Sequence, residues 1–138
     1  MELKLYIIDQ IAGILAGVKI NRIEDKAAKS NLMKDYLAIR KVLKEAQEDK
    51  DEIVRKFQED WKDELAAVEK YRRENKPVVG HLDYLEAERD ANKAIQDLFG
   101  KEVELTLTPV PFDAFSGVSE DLTLEQLAFL QESGVIEG

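Results

Sequence analysis

Residues 18–74 read VKINRIEDKAAKSNLMKDYLAIRKVLKEAQEDKDEIVRKFQEDWKDELAAVEKYRRE, more than fifty residues without a glycine or a proline. Bases and acids are interleaved along the stretch and apolar residues return at helical spacing, which predicts one long helix over residues 20–74. Ile20, Ile23 and Ala27 open one stripe. A second runs from Tyr36 to Tyr71 by way of Ile39, Leu43, Ala46, Ile53, Phe57, Trp61, Leu65 and Val68, with a period close to that of a left-handed coiled coil. At about 1.5 Å per residue such a rod extends on the order of 80 Å and cannot cover its own stripe. It needs returning segments of the same chain or a partner. Between Leu43 and Ile53 only Ala46 is apolar, so packing loosens there or the chain bends near Asp49.

Working outward, residues 3–16 form an apolar helix in which Leu5, Tyr6, Ile7, Ile8, Ile11, Ile14 and Leu15 leave little polar circumference, so it is expected to be covered on more than one side. Gly17 stands where a left-handed C-terminal cap is wanted, and a short extended link follows. On the other side, Asn75-Lys76-Pro77 ends the long helix, since proline lacks a donor and disfavours helical geometry before it. Asp83-Tyr84-Leu85-Glu86 reads as a cap opening a helix over residues 83–99, with Leu82, Leu85, Ala91, Ile95 and Leu98 inward and Gly100 as terminator. This helix is expected to lie antiparallel to the back half of the rod.

After Gly100 the period changes to two. Val103, Leu105 and Leu107 alternate with polar residues as in a half-buried strand, for which Val78-Val79 is the expected neighbour. Pro109-Val110-Pro111-Phe112 enforces an extended path that withholds two backbone donors. Thr123-Leu124-Glu125-Gln126 is a capping box opening a last helix over residues 124–133, closed by Gly134. The predicted fold is mainly α: an elongated, coiled-coil-like antiparallel helical hairpin over residues 1–100. An acidic extended arm over 101–138 carries a short β or extended element and a short C-terminal helix, and docks on the same domain or on a neighbour.

The net charge of −9 is uneven. From residue 101 onward one base faces eight acids, whereas the first hundred residues hold nineteen bases and twenty-one acids. Such balance suits a helix face laced with ion pairs and disfavours direct nucleic-acid binding, which needs an excess of Lys and Arg to release counterions. With no cysteine there is no disulfide framework, thiolate metal site or thiol nucleophile. The apolar start, interrupted by Asp9 and Gln10, is too short to span a bilayer and has no basic leader, so an intracellular, membrane-free protein is expected.

Chemistry is sparse. The single histidine, His81, lies in a turn with no nucleophile signature to serve. Asp49-Lys50-Asp51-Glu52 lacks the glycine of a calcium loop, and no Glu-x-x-His pair suggests a di-iron bundle. The glycines are scattered as helix stops and do not cluster around a phosphate. Lys70, Arg72, Arg73 and Lys76 complement a helix C-terminus before they suggest a phosphate site. No catalytic, metal or cofactor residue is predicted. The candidate partner-binding residues are Leu105, Leu107, Val110, Phe112 and Phe115 on the arm, each worth roughly 1.5–3 kcal/mol when fully buried, together with Phe57 and Trp61 on the rod.

The order of elements resembles a family of small, uncharacterised helical proteins of tailed bacteriophages and prophages. The resemblance is carried by Gly17-Val18-Lys19-Ile20, Lys29-Ser30-Asn31-Leu32, Ile95-Gln96-Asp97-Leu98-Phe99-Gly100-Lys101-Glu102-Val103-Glu104-Leu105, Pro109-Val110-Pro111-Phe112 and Leu122-Thr123-Leu124-Glu125-Gln126-Leu127. The stretch 58–76 is longer here than that family usually carries. The resemblance implies a phage context, in the cytoplasm of a bacterial host or in the virion, and a role in assembly or host interaction. The expected function is thus a non-enzymatic protein–protein interaction or assembly module that self-associates or binds a protein partner. A small acidic inhibitor seated on a basic nucleic-acid-binding surface of a host protein is the alternative, and a carboxylate-dependent metal enzyme a third.

Overall fold

The computed structural model describes residues 1–137, and the chain is mainly α with one small sheet. In order it runs β1 (Glu2–Lys4), α1 (Leu5–Ala16), a 3-10 turn at Ile20–Arg22, α2 (Lys26–Asp60), α3 (Lys62–Arg73), α4 (Leu82–Phe99), β2 (Glu102–Glu104), 3-10 turns over Phe112–Asp121 and α5 (Leu124–Glu132). Two compact units share this chain: Met1–Glu45 with Gly100–Gly138, and Ala46–Phe99. α2 passes unbroken through residues 44–52. The units part at Glu45, where the apolar stripe thins to Ala46, since a polar helical run has nothing to offer a core.

The long helix differs from its prediction at both ends. Ile20–Arg22 winds as 3-10, and α2 starts at Lys26 because the Asp25 carboxylate accepts from the N–H groups of Ala27 and Ala28, at 2.9 and 3.1 Å. Near the far end Trp61 leaves helical angles (φ −121°, ψ 25°), so α2 stops at Asp60 and α3 resumes at Lys62. The Trp61 N–H still bonds the Phe57 carbonyl at 3.1 Å. A tertiary ring contact accompanies this kink; no breaker residue does.

In the first unit α1 buries Leu5, Ile8, Ile11 and Leu15, one face at i, i+3, i+4 spacing, while Tyr6 is exposed. Ile7 and Ile14 beside that face are half-buried, so cover extends past a single stripe, as expected. Gly17 closes α1 in the right-handed region (φ −86°), its N–H bonded to the Ile14 carbonyl, so the left-handed cap expected there is not used.

β1 pairs antiparallel with β2, Leu3 opposite Val103. The strand partner is therefore Glu2–Lys4 and not Val78-Val79, which lie in the connection between α3 and α4. Further along the arm, Leu105 N–H bonds Met1 O at 2.9 Å. Val110 forms a parallel bridge with Ile136. Its N–H donates to Val135 O at 2.8 Å, and its carbonyl accepts from Glu137 N–H at 3.0 Å. Pro109 and Pro111 have no donor to give, so Val110 is the one residue from Pro109 to Pro111 that can exchange both bonds. The arm is thereby part of the first unit's core, in which Leu105, Val110, Phe115, Val118, Leu122, Leu130, Val135 and Ile136 are buried. The Thr123 capping box forms as read, with Gln126 N–H to Thr123 Oγ1 at 3.1 Å and Thr123 N–H to Gln126 Oε1 at 2.9 Å.

The second unit comprises the last part of α2 with α3 and α4. Its centre is Tyr84, fully buried, whose ring lies 5.4 Å from Phe57 and 6.2 Å from Trp61, the latter edge-on. Ala91 and Ile95, later in α4, line one cavity with Val54, earlier in α2, so these two segments run in opposite directions as expected of a hairpin. α4 opens at Leu82, which is 76% exposed where an inward position was predicted, and Asp83 falls inside the first turn instead of capping it. The reason is the connection. Asn75 (φ 54°), Gly80 (φ 77°) and His81 (φ 55°) all adopt left-handed angles, and the His81 carbonyl accepts from Leu85 N–H at 3.0 Å, so the helix is entered two residues earlier than a cap at Asp83 would allow.

Candidate docking surface

The first half of α2 separates its residues by face. Leu32, Asp35 and Ile39, at spacings of three and four, are buried. One position around, Met33 and Leu37 stand a turn apart on the outside, 43% and 55% exposed. Tyr36 and Arg40 form a second i, i+4 pair, with the guanidinium 6.0 Å over the ring. Leu15 at the end of α1, Val18 and Ile20 in the link, and Leu32, Met33 and Tyr36 of α2 then enclose an apolar cleft of about 200 Å³. That is below the roughly 300–1,000 Å³ of small-molecule sites. It suits an anchoring side chain better than a cofactor.

Along the stretch of chain that supplies most of this cleft, the charge is the reverse of the chain's average. From residue 18 to residue 45 there are eight bases and four acids, and one of those acids, Asp35, faces inward. Lys19 sits in the link between Val18 and Ile20, Lys29 one turn before Met33, and Lys34 beside it. Among the described residues none of Lys19, Lys29, Lys34 and Arg40 forms an ion pair. Lys29 has only the Asn21 side-chain oxygen, at 3.4 Å. An apolar cleft on a stretch of chain rich in bases that form no ion pair among the described residues suits an acidic, apolar counterpart.

Asp35, in the same part of α2, is buried. Its Oδ1 accepts the Thr108 N–H at 2.8 Å, pinning the arm to α2 across 73 positions of sequence, and its Oδ2 is buried with no partner among the described residues. Burial pushes the Asp35 carboxyl up from its ordinary value, with the Thr108 bond pulling the other way. A carboxyl raised in the folded state binds its proton more tightly folded than unfolded, so stability falls as pH rises. The penalty is absent below the unfolded value near about 4 and complete above the folded one. For Asp35→Asn, which removes the charge, the stability relative to wild type should therefore rise with pH from about 4 towards neutrality, as read by urea melts across that range. A difference that stays flat with pH would show that the carboxyl titrates as if in water.

The residues singled out from the sequence lie elsewhere. Leu105, Val110 and Phe115 are buried in the first unit and Leu107 is half-buried, so the arm spends its apolar side chains on its own chain. Of that set only Phe112 is exposed, at 56%. Phe57 and Trp61 are half-buried against Tyr84 in the second unit. Met33 and Leu37 fall outside both predicted stripes. The signal that marks them is the Met33–Leu37 step of four beside lysines at 29, 34 and 41.

The basic cluster near the end of α3 is resolved by Arg72, which holds Glu88 in a two-pronged bond at 2.9 and 2.7 Å. The bond from Arg72 keeps the Glu88 carboxyl below its ordinary range. The Tyr84 hydroxyl also reaches Glu88, at 3.3 Å, and burial raises its own pKa. Each member of this trio is satisfied by the others. His81 lies with Nδ1 3.9 Å from Glu64 and its ring 6.4 Å from Tyr71.

Among the described residues no group of three or more His, Cys, Asp or Glu is placed to hold a metal ion. No helix among them is long and apolar enough to cross a membrane. No family model, curated protein or solved structure matches the chain.

Proposed function

We propose that the protein is a non-enzymatic protein–protein interaction or assembly module, phage-encoded and acting in the cytoplasm of a bacterial host or in the virion. The observation that carries this reading is the cleft beside the Met33–Leu37 ridge, apolar, open to solvent and built on a base-rich stretch of chain. Apolar area left in water costs about 25 cal/mol per Å², so a contiguous patch of this kind is retained where something covers it. That base-rich stretch selects an acidic counterpart by steering and by penalising cationic ones. The phage setting rests on the resemblance in element order and motifs.

The test places a photoreactive residue at position 37 of the full chain in the producing cell. A single defined adduct is expected, and Met33→Glu, which puts an anion into the cleft, should reduce it about tenfold or more. No adduct, or one indifferent to Met33→Glu, would remove the cleft as the docking surface. Recovery of the chain in purified particles separates the virion from the cytoplasm. The exposed acids of the C-terminal segment, among them Glu102, Asp113, Glu125 and Glu132, favour the inhibitor as a second reading. In that case capture of a host nucleic-acid enzyme would be lost on reversing those acids and kept in Met33→Glu.

A further inference from the structure

We infer that the cleft's occupant is a second copy of this chain, which inserts Leu124 from the start of its α5. This rests on the reading of the protein as an interaction module and names the partner. Leu124 is 85% exposed, more than any other large apolar residue among those described. The reciprocal capping box of Thr123 and Gln126 fixes the first turn of α5, so the side chain is presented with little left to order. A cleft of about 200 Å³ between Leu15, Ile20, Leu32 and Met33 has room for one branched aliphatic side chain of that kind.

Charge points the same way. Glu125 follows Leu124 directly and is exposed, and the segment from residue 101 onward carries one base against eight acids. Residues 18–45, the stretch that supplies most of the cleft's lining, hold eight bases and four acids. The same complementarity already acts within one copy, where Arg22 approaches Asp121 at 3.8 Å. The net charge of −9 repels copies at long range, so the local match takes over once salt has shortened the Debye length to about 8 Å. Leu124 and the cleft are different places on the chain, so the contact is made either reciprocally, closing a twofold dimer, or head-to-tail, giving rings or open chains.

The experiment is sedimentation of the full chain over a concentration series at physiological salt, with Leu124→Asp and Met33→Glu alone and mixed. The wild type is expected to grow in mass with concentration, and each variant, altered at an exposed site and checked by its melting curve, to remain a monomer. Mixed in equal amounts they should form dimers and nothing larger, since one retains the cleft and the other retains Leu124. A wild type that is monomeric throughout overturns the inference, as does association that survives either change or is not restored on mixing. The docking reading is judged separately, by the adduct at position 37: an adduct that contains another protein and is lost in Met33→Glu keeps that reading while removing the second copy.

Discussion

Replacing Tyr84 by alanine is expected to lower the stability of the second unit by about 3–5 kcal/mol, a large part of the 5–15 kcal/mol that holds a typical domain together. The residue is fully buried and its ring touches both Phe57 and Trp61, so truncation opens a cavity at the point where α2, α3 and α4 meet. Aromatic pairs contribute about 0.5–1.5 kcal/mol beyond the area they bury, and two are lost at once. The hydroxyl matters less. Its bond to Glu88 is long at 3.3 Å, and Glu88 keeps the two-pronged bond to Arg72 without it, so Tyr84→Phe should cost about 1 kcal/mol or less. Amide hydrogen exchange in α3 and α4 reads the effect locally and thermal melting reads it globally. Equal losses in the two variants would mean that the hydroxyl network, and not ring packing, organises this unit.

The central place of Tyr84 is not legible in the sequence. Set between Asp83 and Glu86, it looks like the second residue of a capping box, and an aromatic at that position carries no periodic signal to declare it the hub of three helices. The kink at Trp61 is hidden for a related reason, since no proline or glycine announces it and its ring is turned against a residue more than twenty positions later. What periodicity alone decides was legible. Every residue of the stripe from Tyr36 to Tyr71 is buried or half-buried, the thin stretch around Ala46 is where the two units part, and the switch to period two after Gly100 foretold a strand.

Pairing was not legible, because Val103 alternates identically whether Leu3 or Val79 lies opposite. The docking surface escaped for a reason of sign. Apolar residues at helical spacing read as core and those on an irregular arm read as docking residues, whereas Met33 and Leu37 lie off the buried stripe. Their exposure follows from Leu32, Asp35 and Ile39 taking the inward positions. Asp35 in turn has no sequence signature at all, because its partner is a backbone N–H from the far end of the chain.

The two phenylalanines of the arm, three residues apart, provide the second large contrast. Phe115 is 2% exposed and Phe112 56%, because the 3-10 turns that begin at Phe112 carry Phe115 into the core. Phe115→Ala should therefore cost about 3–5 kcal/mol and lower the melting midpoint by roughly 10–20 °C, whereas Phe112→Ala should stay within about 0.5 kcal/mol of wild type. The pair separates an arm that closes its own core from one that waits for a neighbour. In the first case the loss at Phe115 appears in the isolated chain at any concentration, and Phe112 alone remains free to matter for binding. In the second both changes leave the isolated chain's melt untouched and weaken association together. Chemical denaturation of each variant at two protein concentrations decides it, since a midpoint independent of concentration belongs to a core contact within one copy. The backbone bonds of Val110 to Val135 and Glu137 favour the first outcome, because they tie the arm on either side of these residues to the end of the same chain.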